Sequence, residues 1–149
     1  MRFEQTIVID APIEAARTFF HDVVAVATCM PGIEDMRPVG PDTYEARLRI
    51  RLGFFSYALA GQAHVVEDTD GTWRMTATGS DGRVNASVTL EARLRELSAT
   101  TTEVQAASDL QVAGPIGALG EPLIRRKASS MLQDFAKNLQ RAMRSRPVA

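Results

Sequence analysis

The residues of this sequence that could carry out chemistry are few and scattered. His21 and His64 are its only histidines, and Cys29 is its only cysteine. No carboxylate pair stands at helical spacing near them, and the spacing of possible ligands matches no metal site. His21 falls at the predicted end of a helix, where a cation is favourable, and Cys29 is interpreted as a small buried residue. The absence of a polar catalytic constellation counts against enzymatic chemistry.

A glycine-rich segment, Gly114-Pro115-Ile116-Gly117-Ala118-Leu119-Gly120, lies between a predicted strand and a predicted helix. A phosphate-binding loop would end in Gly-Lys-Ser or Gly-Lys-Thr, and a dinucleotide fingerprint has a different glycine spacing. We therefore interpret the segment as a tight strand-to-helix turn. Because its residues are small, it is also a candidate lid or mouth for a cavity beneath the helix.

The bulk properties limit the class of protein. The 149 residues fit a single domain, residues 1–149, which can bury a core without a metal or a disulfide. A formal net charge of −1 argues against nucleic-acid binding. The N-terminus lacks the apolar core of a signal peptide, and no apolar stretch approaches the ~20 residues that span a bilayer. We expect a cytoplasmic protein without a cofactor, whose membrane contact would be peripheral, at the inner face.

The order of the predicted elements indicates an α+β fold. A first strand over Phe3–Ile9 precedes two short helices, which end near His21 and Cys29. Alternating apolar and polar residues then predict antiparallel strands from Thr43 to Val112, with turns that include Gly79-Ser80-Asp81-Gly82. Apolar residues at three- and four-residue steps predict one long helix after Pro115. A curved antiparallel sheet wrapped around this C-terminal helix would leave space for a small apolar molecule.

The predicted pocket lies between the sheet and the long helix. Its predicted lining is Met30, Phe55, Tyr57, Leu59, Trp73, Met75, Val88, Leu90, Leu110, Leu119, Leu123, Met131 and Phe135. Methionine suits a surface that adapts to a ligand, and Tyr57 and Trp73 could each give one polar contact to a carbonyl group. The alternative is that these side chains simply fill a core.

Leu119 and Leu123 would fall on the polar side of a continuous helix. One interpretation is that a bend at Pro122 turns them inward to close the pocket. The other is that they stay exposed and form, with neighbouring basic residues, an edge for a partner or an anionic membrane. The basic residues of this edge are Arg125, Arg126 and Lys127.

Arg47, Arg49 and Arg51 form a second basic row, on the outer face of a predicted strand. The simpler interpretation is a solvated strand whose arginines pair with acids on neighbouring strands. The alternative is a docking patch for an acidic partner.

Four segments, taken in order, resemble one protein family. Ile9-Asp10-Ala11-Pro12 leads into the first helix, and Cys29-Met30-Pro31-Gly32 closes the second. The strand from Tyr44 to Gly53 is followed by Gly61 after an aromatic run, and Val112 to Gly120 opens the long helix. In this combination, and over nearly its whole length, the sequence resembles the CoxG family of carbon monoxide dehydrogenase subunits, which belongs to the START-like (SRPBCC), helix-grip superfamily.

The resemblance implies a helix-grip fold and an accessory role beside a molybdenum hydroxylase of the carbon monoxide dehydrogenase type. Our leading prediction is a non-catalytic protein that carries a quinone- or lipid-like molecule, or recruits the hydroxylase to the membrane. Two alternatives stay open. One is an enzyme of the wider superfamily, similar to polyketide cyclases or hydrolases, with Tyr57 or His64 facing the cavity. The other is an assembly factor that acts through the basic patches without a small ligand.

Overall fold

The computed structural model describes residues 1–114 and 120–145, with side chains to Arg144. Within these ranges the chain forms seven strands and three helices. The strands are β1 (Arg2–Ile9), β2 (Ile33–Gly40), β3 (Thr43–Leu52), β4 (Phe55–Glu67), β5 (Trp73–Ser80), β6 (Asn85–Glu96) and β7 (Thr102–Ala113). The helices are α1 (Ile13–His21), α2 (Val23–Thr28) and α3 (Glu121–Ser145).

The strands form one antiparallel sheet in the order β1-β7-β6-β5-β4-β3-β2. Strands β2 to β6 each pair with the next one along the chain, whereas β1 pairs with β7, for example Ile7 opposite Val104. The helix α3 lies against the inner face of this sheet, where Leu139 is buried with residues of β1. The predicted curved antiparallel sheet with a long C-terminal helix is therefore confirmed.

The two short helices follow the prediction closely. In α1 the side chains of Ala16, Phe19 and Phe20 are buried. Asp22 then separates α1 from α2, and its side chain accepts a hydrogen bond from the Ala25 N–H at 3.2 Å. This capping bond explains why the chain starts a new helix there.

The prediction of a turn at Gly79 and Ser80 is wrong, because both residues belong to β5. The turn begins at Asp81, whose carboxylate accepts hydrogen bonds from the backbone N–H groups of Arg83 at 2.9 Å and Val84 at 2.8 Å. The side chain of an aspartate thus sets the position of the turn, as is common for this residue type.

The helix α3 begins at Glu121, later than predicted. Residues 115–119, which include the predicted lining residue Leu119 and most of the glycine-rich turn, lie outside the described residues. Pro122 occupies the first helical turn, where its missing N–H leaves no hydrogen bond unmade, so it marks the start of the helix rather than a bend. Leu123 nevertheless points inward, since it packs against a buried cluster described next.

Most of the buried apolar residues that the structure describes form two separate clusters on the inner face of the sheet. The large cluster consists of Ile7, Ile9, Ala11, Ala16, Phe19, Phe20, Cys29, Trp73, Ala92, Val104, Leu139 and Met143. The hairpin cluster, near the turn between β3 and β4, consists of Leu52, Tyr57, Leu59 and Val84.

Candidate functional site

Between the two clusters, the inner face of the sheet carries apolar side chains that belong to neither. Ala77 lies opposite Val88, and Val88 lies opposite Leu110, so β5, β6 and β7 present a continuous patch that Met75 extends. Each of these residues is only half-buried, although it faces the side on which α3 lies. Space therefore remains between α3 and the centre of the sheet, and we call this space the inner hollow.

The burial of α3 along its length agrees with such a space. Ile124 near its start is buried, as are Leu139 and Met143 towards its end. Between them, Met131 and Phe135 are only half-buried. Because protein interiors pack as densely as organic crystals, a filled interior would bury these mid-helix side chains as fully as Leu139.

Side-chain amides hold the C-terminal half of α3 in place. Gln5 of β1 donates a hydrogen bond to the main-chain carbonyl of Leu132 at 2.8 Å. Asn138 donates to the carbonyl of Cys29 at 2.9 Å, and Gln140 donates to a carbonyl of β1 at 2.8 Å. These bonds fix the helix beside β1 and the end of α2, away from the strands that line the hollow.

An open groove of about 340 Å³ runs along one flank of α3. It is lined by Pro31, Gly32, Glu34, Arg49, Arg51, Ser56, Lys127, Ser130, Met131 and Asp134. The groove lies at the free edge of β3, because β2 begins at Ile33, opposite Leu48. The last backbone bond on that side runs from the Arg49 N–H to the Gly32 carbonyl, at 2.9 Å. Met131 borders both the groove and the inner hollow, so the groove is a candidate route of access to the interior.

The groove carries both polar and charged groups. Glu34 pairs with Arg49, with an Oε1–Nε distance of 3.0 Å. Among the residues that the structure describes, no ion pair joins Arg51 or Lys127, which line opposite walls of the groove. The mouth of the groove therefore has cationic groups that are available to an anion.

A second concavity, of about 560 Å³, lies on the outer face of the sheet. Its walls carry small and neutral polar side chains, among them Gln62, Thr78, Ser87 and Gln111. Most of its lining residues have the outward parity of their strands, so it opens on the side of the sheet away from α3.

The structure brings together some of the predicted lining residues. Met75, Val88 and Leu110 line the inner hollow from the sheet, and Met131 lines it from α3. Leu90 and Phe135 border it where they pack against the large cluster.

Other predicted lining residues belong to the buried clusters. Trp73 lies in the large cluster, with its ring centroid 6.4 Å from that of Phe20 and 5.3 Å from that of His21. Tyr57 and Leu59 lie in the hairpin cluster, against which Leu123 packs. These residues form the ends of the hollow.

Two predicted lining residues lie elsewhere. Met30 is half-buried at the corner that follows α2, next to the groove. Phe55 is 55% exposed at the turn between β3 and β4, so its predicted place in an enclosed lining is wrong. The physical reason is that β5 ends at Ser80, opposite Ala60, and leaves this part of β4 without a neighbouring strand to enclose it.

The two histidines lie away from the hollow. His64 is exposed on the outer face of β4, where its Nδ1 lies 3.5 Å from the Thr43 hydroxyl. His21 is exposed and pairs with Glu67, with an Nε2–Oε1 distance of 3.1 Å. Within residues 1–114 and 120–144, no three His, Cys, Asp or Glu side chains come together as a metal site.

The two predicted basic patches differ in their pairing. Arg47, Arg49 and Arg51 are all exposed on β3, and the pairing of Arg49 with an acid of β2 follows the simpler interpretation of this row. In the other patch, Arg125 pairs with Glu121 at 3.1 Å and lies over the ring of Phe3, whereas Arg126 is exposed.

Sequence reasoning missed one exposed feature. Phe54 is fully exposed at the turn between β3 and β4, directly before the exposed Phe55. The available signal was Gly53, a turn residue with a φ of 60°, followed at once by two aromatic residues. Aromatic side chains at a turn are not enclosed by neighbouring strands and so remain accessible.

The fold is similar to several solved structures. A conserved protein from Geobacillus kaustophilus is 17% identical, with a TM-score of 0.86 and coverage of 96% of this chain and 95% of that one. The Zhui aromatase/cyclase from Streptomyces sp. R1128 is 15% identical, with a TM-score of 0.71 and coverage of 97% and 93%. A START superfamily protein from Mycobacterium smegmatis is 16% identical, with a TM-score of 0.71 and coverage of 96% and 97%.

Sequence comparison supports the same assignment. No curated protein sequence matches this chain at a significant level. The family model for CoxG, a carbon monoxide dehydrogenase subunit, matches residues 6–144. In the described part of the chain, no helix is long and apolar enough to cross a membrane. Family and fold together support, at a coarse level, a ligand-binding accessory role. The chain belongs to the CoxG family of carbon monoxide dehydrogenase subunits.

Proposed function

We propose that this protein is a non-catalytic carrier of a hydrophobic small molecule, quinone-like or lipid-like, and acts as an accessory to a molybdenum hydroxylase of the carbon monoxide dehydrogenase type. In this role it would work in the cytoplasm, with peripheral contact to the inner face of the membrane. The family assignment supports the accessory role and the kind of enzyme partner. The inner hollow supports the carrier role.

One observation carries the proposal: apolar side chains at the centre of the interior are less buried than those at its two ends. Leu139 is 0% exposed in the large cluster, whereas Val88 and Met131 remain half-buried between the clusters. Apolar surface that faces an interior space is stabilised when an apolar molecule covers it. The patch lacks charged side chains, which favours a neutral, oily part of a ligand.

The free energy from burying the apolar surface of a ligand accounts for a large part of a micromolar affinity. Burying about 300 Å² of apolar ligand surface contributes roughly 7 kcal/mol at ~25 cal/mol per Å², before the entropy cost of binding. Binding in the micromolar range corresponds to about 8 kcal/mol, so polar contacts at the groove would supply the remainder and offset the entropy cost. A carrier must release its cargo, and an affinity of this order permits exchange.

The test is titration with a quinone that has a short alkyl tail, followed by the fluorescence of Trp73, the only tryptophan. Since Trp73 is two residues from Met75 on the same face of β5, a quinone in the hollow should quench it. Native mass spectrometry of the purified protein would show whether a quinone or lipid is already bound.

A cavity-filling variant distinguishes between an open inner hollow and an interior that is filled by side chains. Ala77→Phe would place a ring in the hollow, and we expect binding to weaken at least about tenfold while stability is kept. The control is Ala58→Phe, since Ala58 is exposed on the opposite face of β4. Overpacking of a filled core would instead destabilise Ala77→Phe by about 3 kcal/mol or more. If this is observed, and if the wild type binds neither quinone nor lipid, the carrier proposal fails.

A further inference from the structure

The strands β3 and β4 extend beyond their neighbours. On one side, β2 reaches only as far as Leu48, and on the other, β5 ends opposite Ala60. The Arg49 N–H still donates to the Gly32 carbonyl at 2.9 Å. Beyond it, from Ile50 opposite Tyr57 to Leu52 opposite Phe55, the two strands pair only with each other. We call residues 50–57 the ribbon.

The tip of the ribbon is aromatic and exposed. The relative exposure of Phe54 is 106% and that of Phe55 is 55%. Elsewhere in residues 1–114 and 120–144, the exposed large apolar residues are Val8, Val39 and Leu97, which are separated from one another and less exposed, at 43–44%. Single exposed apolar residues are ordinary, but adjacent exposed aromatics at a projecting turn mark a surface that meets an apolar partner.

The ribbon is held firmly despite its lack of flanking strands. On its inner face, Leu52 and Tyr57 are buried in the hairpin cluster, and Ile50 packs against them. Leu123 of α3 packs on the same cluster, which joins the ribbon to the start of α3. The tip therefore presents its two aromatic rings on a fixed base. Insertion of the rings into a partner surface would cost little conformational entropy of the backbone.

Two cations, Arg51 and Lys127, lie on the groove side of the ribbon, in a groove that Glu34 and Asp134 also line. No Asp or Glu occurs between Glu45 and Glu67, whereas three arginines fall in that segment. Arg51 stands two residues before the turn, and Lys127 lines the same groove from α3. Among the described residues neither has an ion-pair partner, so both are available to anions outside the protein.

We propose that the ribbon tip docks on an anionic lipid bilayer, with Phe54 and Phe55 inserted between the head groups and with Arg51 and Lys127 against lipid phosphates. Aromatic side chains with basic neighbours are the usual composition of interfacial membrane contacts. A protein partner fits less well, because a stable protein interface buries about 800 Å² on each side, whereas a two-stranded tip presents only two large side chains.

Docking by the tip would also bring the groove to the membrane surface. Arg51 and Ser56 belong to the ribbon and line the groove, and Met131 connects the groove with the inner hollow. A lipid-soluble cargo could then pass between bilayer and hollow without crossing water. This inference deepens the membrane contact of the proposed function and rests on it, but a separate measurement tests it.

The first experiment is co-sedimentation of the full chain with vesicles of phosphatidylcholine, alone or mixed with phosphatidylglycerol. We expect binding to the phosphatidylglycerol vesicles that weakens as salt is added. Phe54→Ser should lower the partition coefficient about tenfold, whereas Leu97→Ser, a matched change at an exposed apolar residue, should leave it unchanged. Lys127→Glu should weaken binding about fivefold or more, and Lys137→Glu, further along α3, much less.

A second experiment reports insertion directly. Trp73 is 8% exposed and should keep a constant emission, so a tryptophan introduced by Phe54→Trp reports the tip. Its emission should shift to shorter wavelength with phosphatidylglycerol vesicles, while that of Leu97→Trp should not.

The inference is overturned if Phe54→Ser binds vesicles as well as the wild type, or if the wild type binds no vesicle. It is equally overturned if Phe54 is needed for contact with the purified hydroxylase but the emission of Phe54→Trp does not respond to vesicles. If quinone titration still succeeds in these cases, the carrier function stands and only the docking element is lost. If quinone binding fails while vesicle binding depends on Phe54, the carrier function is lost and the docking element stands.

Discussion

Asn138 donates a side-chain hydrogen bond of 2.9 Å to the main-chain carbonyl of Cys29. The bond joins the C-terminal half of α3 to the corner after α2, where Pro31 and Gly32 form one wall of the groove. The opposite wall is a flank of α3 itself. One hydrogen bond therefore helps to set the distance between the two walls.

Replacing Asn138 by Ala should loosen this connection. The Cys29 carbonyl would lose its side-chain donor, and we expect the free energy of unfolding to fall by about 1–2 kcal/mol. Urea denaturation measures this value. The control is Lys137→Ala at the adjacent exposed position, which should change stability by less than about 0.5 kcal/mol. Equal effects of the two substitutions would show that the Asn138 bond contributes nothing.

Leu139 and Met131 should differ sharply when each is truncated to Ala, although both face inward from α3. Leu139 is 0% exposed, so Leu139→Ala leaves a cavity in the large cluster and should cost about 3 kcal/mol. Met131 borders space that is already open, so Met131→Ala should cost less than about 1 kcal/mol. Thermal or urea unfolding of both variants checks the difference. A loss of about 3 kcal/mol at Met131 as well would contradict the inner hollow.

Gly61→Ala should destabilise the sheet by about 3 kcal/mol. Gly61 pairs with Gly79, and a Cβ built on Gly61 would lie 1.9 Å from the carbonyl oxygen of Thr78. Because the obstacle is backbone, the strands would have to separate. Gly40→Ala is the matched control, since its Cβ would have no neighbour within 4 Å, and it should be almost neutral. A stable Gly61→Ala variant with an unchanged circular dichroism spectrum would refute the close approach of β4 and β5.

The stability of the fold should decrease in acid partly through Asp81. Hydrogen bonds from the backbone N–H groups of Val84 and Arg83 hold the pKa of the Asp81 carboxyl below its usual range. Since the pKa is lower in the folded state, the ionised form stabilises the fold at neutral pH, and this contribution is lost as the pH falls through the folded-state pKa. The melting temperature should therefore fall less for Asp81→Asn than for the wild type as the pH drops from about 5 to about 2.

The control for this pH series is Asp109→Asn, since Asp109 is exposed and lies 3.7 Å from its nearest cation, on Arg2. That variant should follow the acid profile of the wild type. If Asp81→Asn follows it too, the carboxylate at the β5–β6 turn is not a source of acid sensitivity.

The spacing of apolar and polar residues within each segment was sufficient to predict most of the strands and helices. The alternation at Tyr44–Leu52 predicts β3 and assigns its arginines to the outer face, because side chains of a strand point to opposite sides in turn. Pro12 and the following acid predict the start of α1 for an equally local reason. The family assignment also came from such segments, taken in order along the chain, and the family model confirms it.

The failures occurred where a local signal competed with a neighbouring group. Gly79 and Ser80 are turn-forming residues, yet both lie in β5, because the carboxylate of Asp81 places the turn two residues later. Phe55 is a residue type that is common in buried strands, but it is exposed because no strand flanks the ribbon there. For Phe55 the deciding feature, a missing neighbouring strand, is not visible in the segment itself.

The sequence by itself determined which segments are strands and helices and which face of each is apolar, since both depend on the spacing of residues along the chain. The tertiary structure alone decided that the apolar residues divide into two clusters, that α3 stands away from Val88 and Leu110, and that Phe54 projects into solvent. The physical reason is that these features depend on contacts between residues far apart in the chain. Such contacts set the distance between a helix and a sheet, and the point at which one strand extends beyond its neighbour.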